Sequence, residues 1–235
     1  MKTITAQKNF LLQVILLITL AITISLTAKA GKQDRPVKNF SKIEISGAFE
    51  VTLKQGSVEK LTVEADENLL PKIITEVKGG TLIIRIENNT HINGDLKADL
   101  TFINLDGIDI SGAVKINGAA PMKFSKLEID GSGASKIDLD LSASRVDGDF
   151  SGASEITLKG TATDFDIDLS GASNLEAVEF KTQNCNLECS GASKASVFAT
   201  GTLTVEGSGA TQVSYAGNPA SVNSDMSGAS KLNKI

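Results

Sequence analysis

The amino-acid sequence predicts an all-β chain wound as a parallel β-helix, a solenoid with turns of about 19 to 20 residues. Three observations carry that prediction. Ser-Gly-Ala-Ser or a near copy begins at Ser111 and returns at Ser132, Ser151, Ser170, Ser190, Ser208 and Ser227, at spacings of 21, 19, 19, 20, 18 and 19 residues. A fixed period near twenty marks units that bury their apolar faces only by stacking on neighbours. Around each serine, apolar or tiny residues alternate with polar ones: Phe165, Ile167 and Leu169 before Ser170, and Ile156 and Leu158 after Ser151. Strict period two means strands with one buried face. Between the repeats there is no helical pattern, and a sandwich or antiparallel barrel, built on hairpin signals such as Asn-Gly between strands, would not need repeats of one length. Aromatic content of 4% fits a core of stacked aliphatic ladders.

Taken from the N-terminus, the chain opens with Lys2 and Lys8, runs through the apolar stretch from Phe10 to Thr27, and reaches Ala28-Lys29-Ala30. A basic start, an apolar run and an A-x-A site make a secretory signal peptide over residues 1–30. An uncleaved anchor is the competing reading, weakened by Gln13, Thr19, Thr23 and Ser25 within the run. Residues 31–235 then form a single domain. Over 31–105 strands are expected at Ile43–Ile45, Phe49–Leu53, Leu61–Ala65, Ile73–Val77, Leu82–Ile86 and Leu96–Phe102, with turns at Lys78-Gly79-Gly80-Thr81 and Ile92-Asn93-Gly94-Asp95 and a helical turn at Glu67–Pro71. Ile45-Ser46-Gly47-Ala48-Phe49 is an eighth copy of the bend, so this part is continuous with the regular repeats over 106–235. In each bend glycine supplies the backbone freedom for a corner, and the alanine is expected to tuck inside it.

At this point the residues resemble a known family. Phe40-x-x-Ile43-x-Ile45-Ser46-Gly47-Ala48-Phe49-x-Val51, Asp66-Glu67-Asn68-Leu69-Leu70, Gly79-Gly80-Thr81-Leu82, the repeated Ser-Gly-Ala-Ser and the closing Tyr215-x-Gly217-Asn218-Pro219 look like the head GIN domain of the putative auto-transporter adhesins. The resemblance implies an exported protein of the Gram-negative cell envelope, a β-helical fold and an adhesin-like role. It implies no catalytic or cofactor-binding residue.

Charge narrows the partners. Removing residues 1–30 takes away Lys2, Lys8 and Lys29 and no acids, leaving 20 basic against 28 acidic side chains. Such a surface repels nucleic acid and anionic lipid. Cys185 and Cys189, four residues apart on one strand, lie too far apart to bridge and alternate inward with Leu187; they read as buried thiols rather than metal ligands or redox groups.

The residue two before each serine is always an acid: Asp109, Asp130, Asp149, Asp168, Glu188, Glu206 and Asp225. Stacked turns would set these outward carboxylates in one column about 5 Å apart. At that spacing each neighbouring pair repels by about 1 kcal/mol in water. Lysines four after the serine, at Lys115, Lys136, Lys194 and Lys231, could fold across the bend and offset the repulsion. The sharper reading makes the column, with Glu128, Asp147 and Asp166 beside it, a candidate Ca²⁺ site built from paired oxygens of adjacent turns.

For an enzyme the sequence offers little. It has no tryptophan, one tyrosine and one histidine, His91, in a predicted turn, and its serines have no histidine at a fixed spacing. Carboxylates about 5 Å apart also resemble a retaining glycosidase pair, yet any stacked acidic ladder has that spacing. The expectation is a non-enzymatic adhesin-like module for a protein or glycan at the cell surface. The alternatives are an envelope scaffold that self-associates through the solenoid ends, motivated by the chain reaching Lys234-Ile235 without a polar cap, and a polysaccharide-active β-helix enzyme.

Overall fold

The computed structural model describes residues 30–235, and Gly31–Ile235 form one compact unit. The predicted leader over 1–30 lies, but for Ala30, outside the described residues. Among the described residues no helix is long and apolar enough to cross a membrane.

Seven strands make the N-terminal part: β1 (Ala30–Arg35), β2 (Lys42–Gly47), β3 (Phe49–Gln55), β4 (Lys60–Asp66), β5 (Ile73–Lys78), β6 (Thr81–Ile86) and β7 (Leu96–Phe102). β8 (Gly107–Gly112) and β9 (Lys115–Gly118) begin the regular coils. β10 (Met122–Gly133) leads into the next bend, and β11 (Lys136–Phe150), β12 (Glu155–Leu169), β13 (Asn174–Cys189) and β14 (Lys194–Gly207) then each follow the coil from one bend to the next. β15 (Gln212–Ala216), β16 (Ser221–Met226) and β17 (Lys231–Lys234) complete the stack. Pairing is parallel from β2 through β8, β10, β11, β12, β13 and β14 to β16, and from β3 through β9 onward to β15 and β17. The result is the predicted β-solenoid of about seven turns.

The N-terminal part departs from the regular coil. β4 runs antiparallel to β7, and β5 antiparallel to β6 through the expected Gly79-Gly80 turn. Periodicity fixes which face of a strand is buried but not the direction of its partner, so these pairings close the first end of the stack in a way the repeat cannot announce. The expected helical turn forms two residues later than its predicted centre at Leu69, as a 3₁₀ turn over Leu70–Lys72.

The corners explain the repeat. Gly47, Gly112, Gly133, Gly152, Gly171, Gly191, Gly209 and Gly228 all have φ between 70° and 116°, the left-handed region that only glycine enters without strain. Their second requirement is close approach: a Cβ on Gly152 or Gly171 would lie 2.5 Å from the carbonyl oxygen of the glycine one coil before. That approach lets the N–H of Ala113, Ala134, Ala153, Ala172, Ala192, Ala210 and Ala229 donate to the preceding coil's glycine carbonyl at 2.7 to 2.8 Å, an unbroken column of hydrogen bonds.

One expectation is corrected here. The alanine does not tuck inside: Ala134, Ala153, Ala172 and Ala192 are exposed. The residue that turns in is the last serine of the tetrapeptide, with Ser135, Ser154, Ser173 and Ser193 at most 2% exposed. Each donates its hydroxyl to the carbonyl of the first serine three residues back, at 3.1, 3.1, 2.9 and 2.7 Å. Serine is small enough for the corner and satisfies a carbonyl that the bend takes out of the ladder.

Between corners the inward columns interdigitate by size. Phe150 is fully buried because Gly131 and Gly148 stand beside its ring; a Cβ on either would come within 2.8 Å of it. Phe165 and Phe180 pack edge to face, their centroids 5.2 Å apart. Cys185 and Cys189 occupy inward positions as free, buried thiols, and burial pushes their pKa values up to about 12 and about 11. They are protonated at neutral pH and serve as core.

Candidate functional site

The strand register places the seven predicted acids in one column. Asp109 pairs with Asp130, Asp130 with Asp149, Asp149 with Asp168, Asp168 with Glu188, Glu188 with Glu206, and Glu206 with Asp225. The column has one more member than the sequence reading assigned: Glu44, two residues before the eighth bend, pairs with Asp109. All eight side chains are exposed.

Two parallel columns on the same wall show what the ladder lacks. In the first, Lys42, Gly107, Glu128, Asp147, Asp166, Asn186 and Thr204 follow one another. In the second come Lys126, Arg145, Asp164, Asn184 and Thr202. Acids here have partners. Lys126 and Arg145 approach Asp147 at 2.9 and 2.6 Å, Arg145 reaches Asp166 at 2.9 Å, and Lys42 reaches across Gly107 to Glu128 at 3.6 Å. Asn184 and Asn186 each donate to the aspartate one coil before, Asp164 and Asp166, at 2.9 Å.

The ladder has none of this. Among the described residues no ion pair involves any of its eight acids. The lysines expected to fold across the bend go elsewhere: Lys115 to Glu50 at 3.0 Å and Lys136 to Glu155 at 2.8 Å, both on the following strand wall. Burial of the column's flank, followed by the charges of Glu128, Asp109 and Asp149, raises the Asp130 pKa. Burial, then Asp149 and Asp166, raises that of Asp168. For Glu188 the neighbours Asp168 and Glu206 are the main cause of an upward shift. Asp147 goes the other way: burial opposes ionisation there, and hydrogen bonds from Arg145 and Lys126 outweigh it.

These directions fix a pH profile. An acid whose folded pKa lies above its unfolded value binds protons more tightly when folded, so its contribution to stability grows as pH falls toward about 4 and is lost as pH rises through the folded value. Asp147 adds stability above its unfolded pKa and surrenders it as pH falls through its depressed folded value. We expect thermal stability to be highest in mildly acidic solution and lower at pH 7, with the acid-side gain reduced in Asp168→Asn. Melting scans from pH 3 to 8 check this, and a wild-type profile that falls steadily on acidification contradicts it.

Alongside the ladder runs a shallow groove of about 490 Å³, lined by Asp149, Asp168, Glu188, Glu206 and Asp225 on one side and by Ser170, Ser190, Ser208 and Ser227 on the other. Its chemistry is a row of carboxylates backed by hydroxyls. Among the described residues no three Asp, Glu, His or Cys side chains converge as a metal-binding group, so the column is strung out rather than gathered. His91 is exposed in the loop joining β6 to β7, and the groove's lining contains no histidine.

The family model described as "Putative auto-transporter adhesin, head GIN domain" matches residues 39–219. Nothing among curated proteins matches. Among solved structures the chain is similar to a putative adhesin from Bacteroides fragilis, with 21% identity and a TM-score of 0.85 over 89% of this chain and 98% of that one. It is also similar to a putative adhesin from Parabacteroides merdae, with 15% identity and a TM-score of 0.71 over 89% and 97% of the two chains. A putative lipid binding protein from Parabacteroides distasonis follows at 20% identity and a TM-score of 0.65, over 89% and 98%. At these identities the likeness is one of fold.

Proposed function

The chain belongs to the head GIN domain family of putative auto-transporter adhesins, and from that premise we propose that it is an exported, non-enzymatic attachment module of the cell envelope whose contact surface is the wall bearing the acidic ladder. The observation that carries the proposal is the contrast between columns. Where the same wall has no contact to make, lysine, arginine and asparagine are interleaved with the acids; in the ladder, eight consecutive coils keep a carboxylate. Unrelieved like charge destabilises a sheet, and groups held against their own stability are what a binding surface requires.

The chemistry of the wall selects the partner. A row of carboxylates about 5 Å apart with hydroxyls beside it suits a protein or glycan surface carrying positive charge, engaged through many weak contacts and weakened by salt. A Ca²⁺ ion shared by two neighbouring coils is a variant of the same reading, with water completing its oxygen shell. An open groove without a convergent acid–base pair supports attachment over catalysis.

Attachment requires exposure. Antibody labelling and protease shaving of intact cells that make the protein, with a periplasmic control, are expected to detect it at the surface. Full protection on intact cells, together with detection after permeabilisation, overturns the attachment reading in favour of an envelope scaffold.

A further inference from the structure

The two ends of the stack are unlike. The first is closed by the antiparallel pairings of β4 with β7 and β5 with β6. At the other, β16 pairs with β14 and β17 with β15, and among the described residues nothing pairs with the outer edge of either strand. Which groups face out follows from the hydrogen bonds inward. The N–H groups of Ser227, Ala229, Lys231 and Ile235 donate to the carbonyls of Gly207, Gly209, Thr211 and Tyr215 one coil back. The equivalents of those acceptors in the last coil are Met226, Gly228, Ser230 and Lys234, so the even-numbered residues direct their backbone groups at the open end. Val222 on this edge is 42% exposed and Ile235 is 66% exposed.

The geometry points to a second copy of this chain as the occupant, docked tail to tail about a two-fold axis through the Gly228 corner. The axis bisects the corner between β16 and β17, so β16 of one copy meets β17 of the other antiparallel, twice over. Centring the contact on Gly228 fixes the register. Met226 faces Ser230 of the second copy, Ser224 faces Leu232, and Val222 faces Lys234, whose amine is already drawn aside to the Asn218 side chain at 2.9 Å.

Two independent features agree with that register. Every pair that must exchange backbone hydrogen bonds joins even-numbered residues, the ones with free groups; a shift of one residue would face free groups with used ones. The closely spaced pair between them is Asp225 with Lys231 of the second copy, opposite charges that recur across the axis. Asp225 is the last rung of the acidic ladder, and tail-to-tail contact is where the ladder meets a lysine. The corner permits the approach because its residues are Ser227, Gly228, Ala229 and Ser230, the same small set that stacks coil on coil inside each chain.

The contact is small. β16 and β17 offer six and four residues, below the roughly 20 to 30 a side of a standard stable interface, so association is weak and belongs to concentrated or surface-tethered protein. It does not depend on what the ladder wall binds, and monomer–dimer behaviour in solution leaves the attachment proposal untouched.

Sedimentation of residues 31–235 over a concentration series tests the proposal. Wild type is expected to double in mass toward the top of the series. Asp225→Lys and Lys231→Asp, both at exposed positions, are each expected to weaken the dimer at least about tenfold by facing like charges across the axis, and the combined swap restores it. Ser224→Pro leaves the fold's own ladder intact, because that N–H faces outward, and abolishes the dimer. A wild type that stays monomeric throughout, a dimer indifferent to both reversals, or a combined swap that fails to rescue overturns the proposal.

Discussion

Gly171→Ala is expected to destabilise the solenoid by about 3 to 5 kcal/mol, a cost assembled from three physical sources. A residue with a Cβ pays about 1 to 2 kcal/mol to hold the left-handed backbone that Gly171 adopts at φ 75°. The new methyl would lie 2.5 Å from the Gly152 carbonyl oxygen, so the coils must part. Parting them costs the hydrogen bond from the Ala172 N–H to that carbonyl, with about 1 to 3 kcal/mol for leaving it unsatisfied. The neighbouring change Ala172→Gly is the control: that methyl is exposed, and its loss costs about 0.5 to 1 kcal/mol, mostly in backbone entropy. Urea unfolding of both variants reads the difference. Equal midpoints would mean that the corner relaxes and that the glycine column does not set the stacking.

The recurrence of the corner made the fold legible in the sequence, since a motif that repeats every turn reveals the period, the bend and the strands on either side together. What it did not reveal follows from the same physics. Alternation carried through the bend, from buried Leu169 across the exposed Gly171, counts Ser173 as inward. Stopping it at the glycine is what made Ala172, rather than Ser173, look like the buried residue. Glu44 was missed although its bend was recognised, because the acid count was limited to the regular coils. The antiparallel strands β4 and β5 read correctly as strands, yet their partners depend on long-range closure that no local pattern records. At the site, the column of acids was readable from spacing alone. That Lys115 and Lys136 would leave it unpaired was not, because side-chain reach across a corner depends on geometry that only the folded coil supplies.

Neutralising the centre of the ladder with Asp149→Asn, Asp168→Asn and Glu188→Gln is expected to move stability and binding in opposite directions. Removing like charges that face each other across paired strands stabilises the fold by about 1 kcal/mol, a rise of about 2 to 4 °C in Tm for a domain of this size. The same change removes the carboxylates that the wall presents to a partner, so attachment should fall toward background. The folded core is untouched, because all three side chains are exposed and none makes an ion pair among the described residues. A surface that existed only for solubility would show the first effect without the second.

The measurement that bears most directly on the ladder as a contact surface is therefore binding of residues 31–235, wild type and triple variant, to immobilised polylysine, a neutral glycan and heparin, with each protein's melting curve recorded alongside. We predict that wild type binds the cationic polymer, is released by added salt and ignores heparin, while the variant melts higher and fails to bind. Equal binding of the two proteins to the cationic polymer, or wild-type binding to none of the three, would contradict the account.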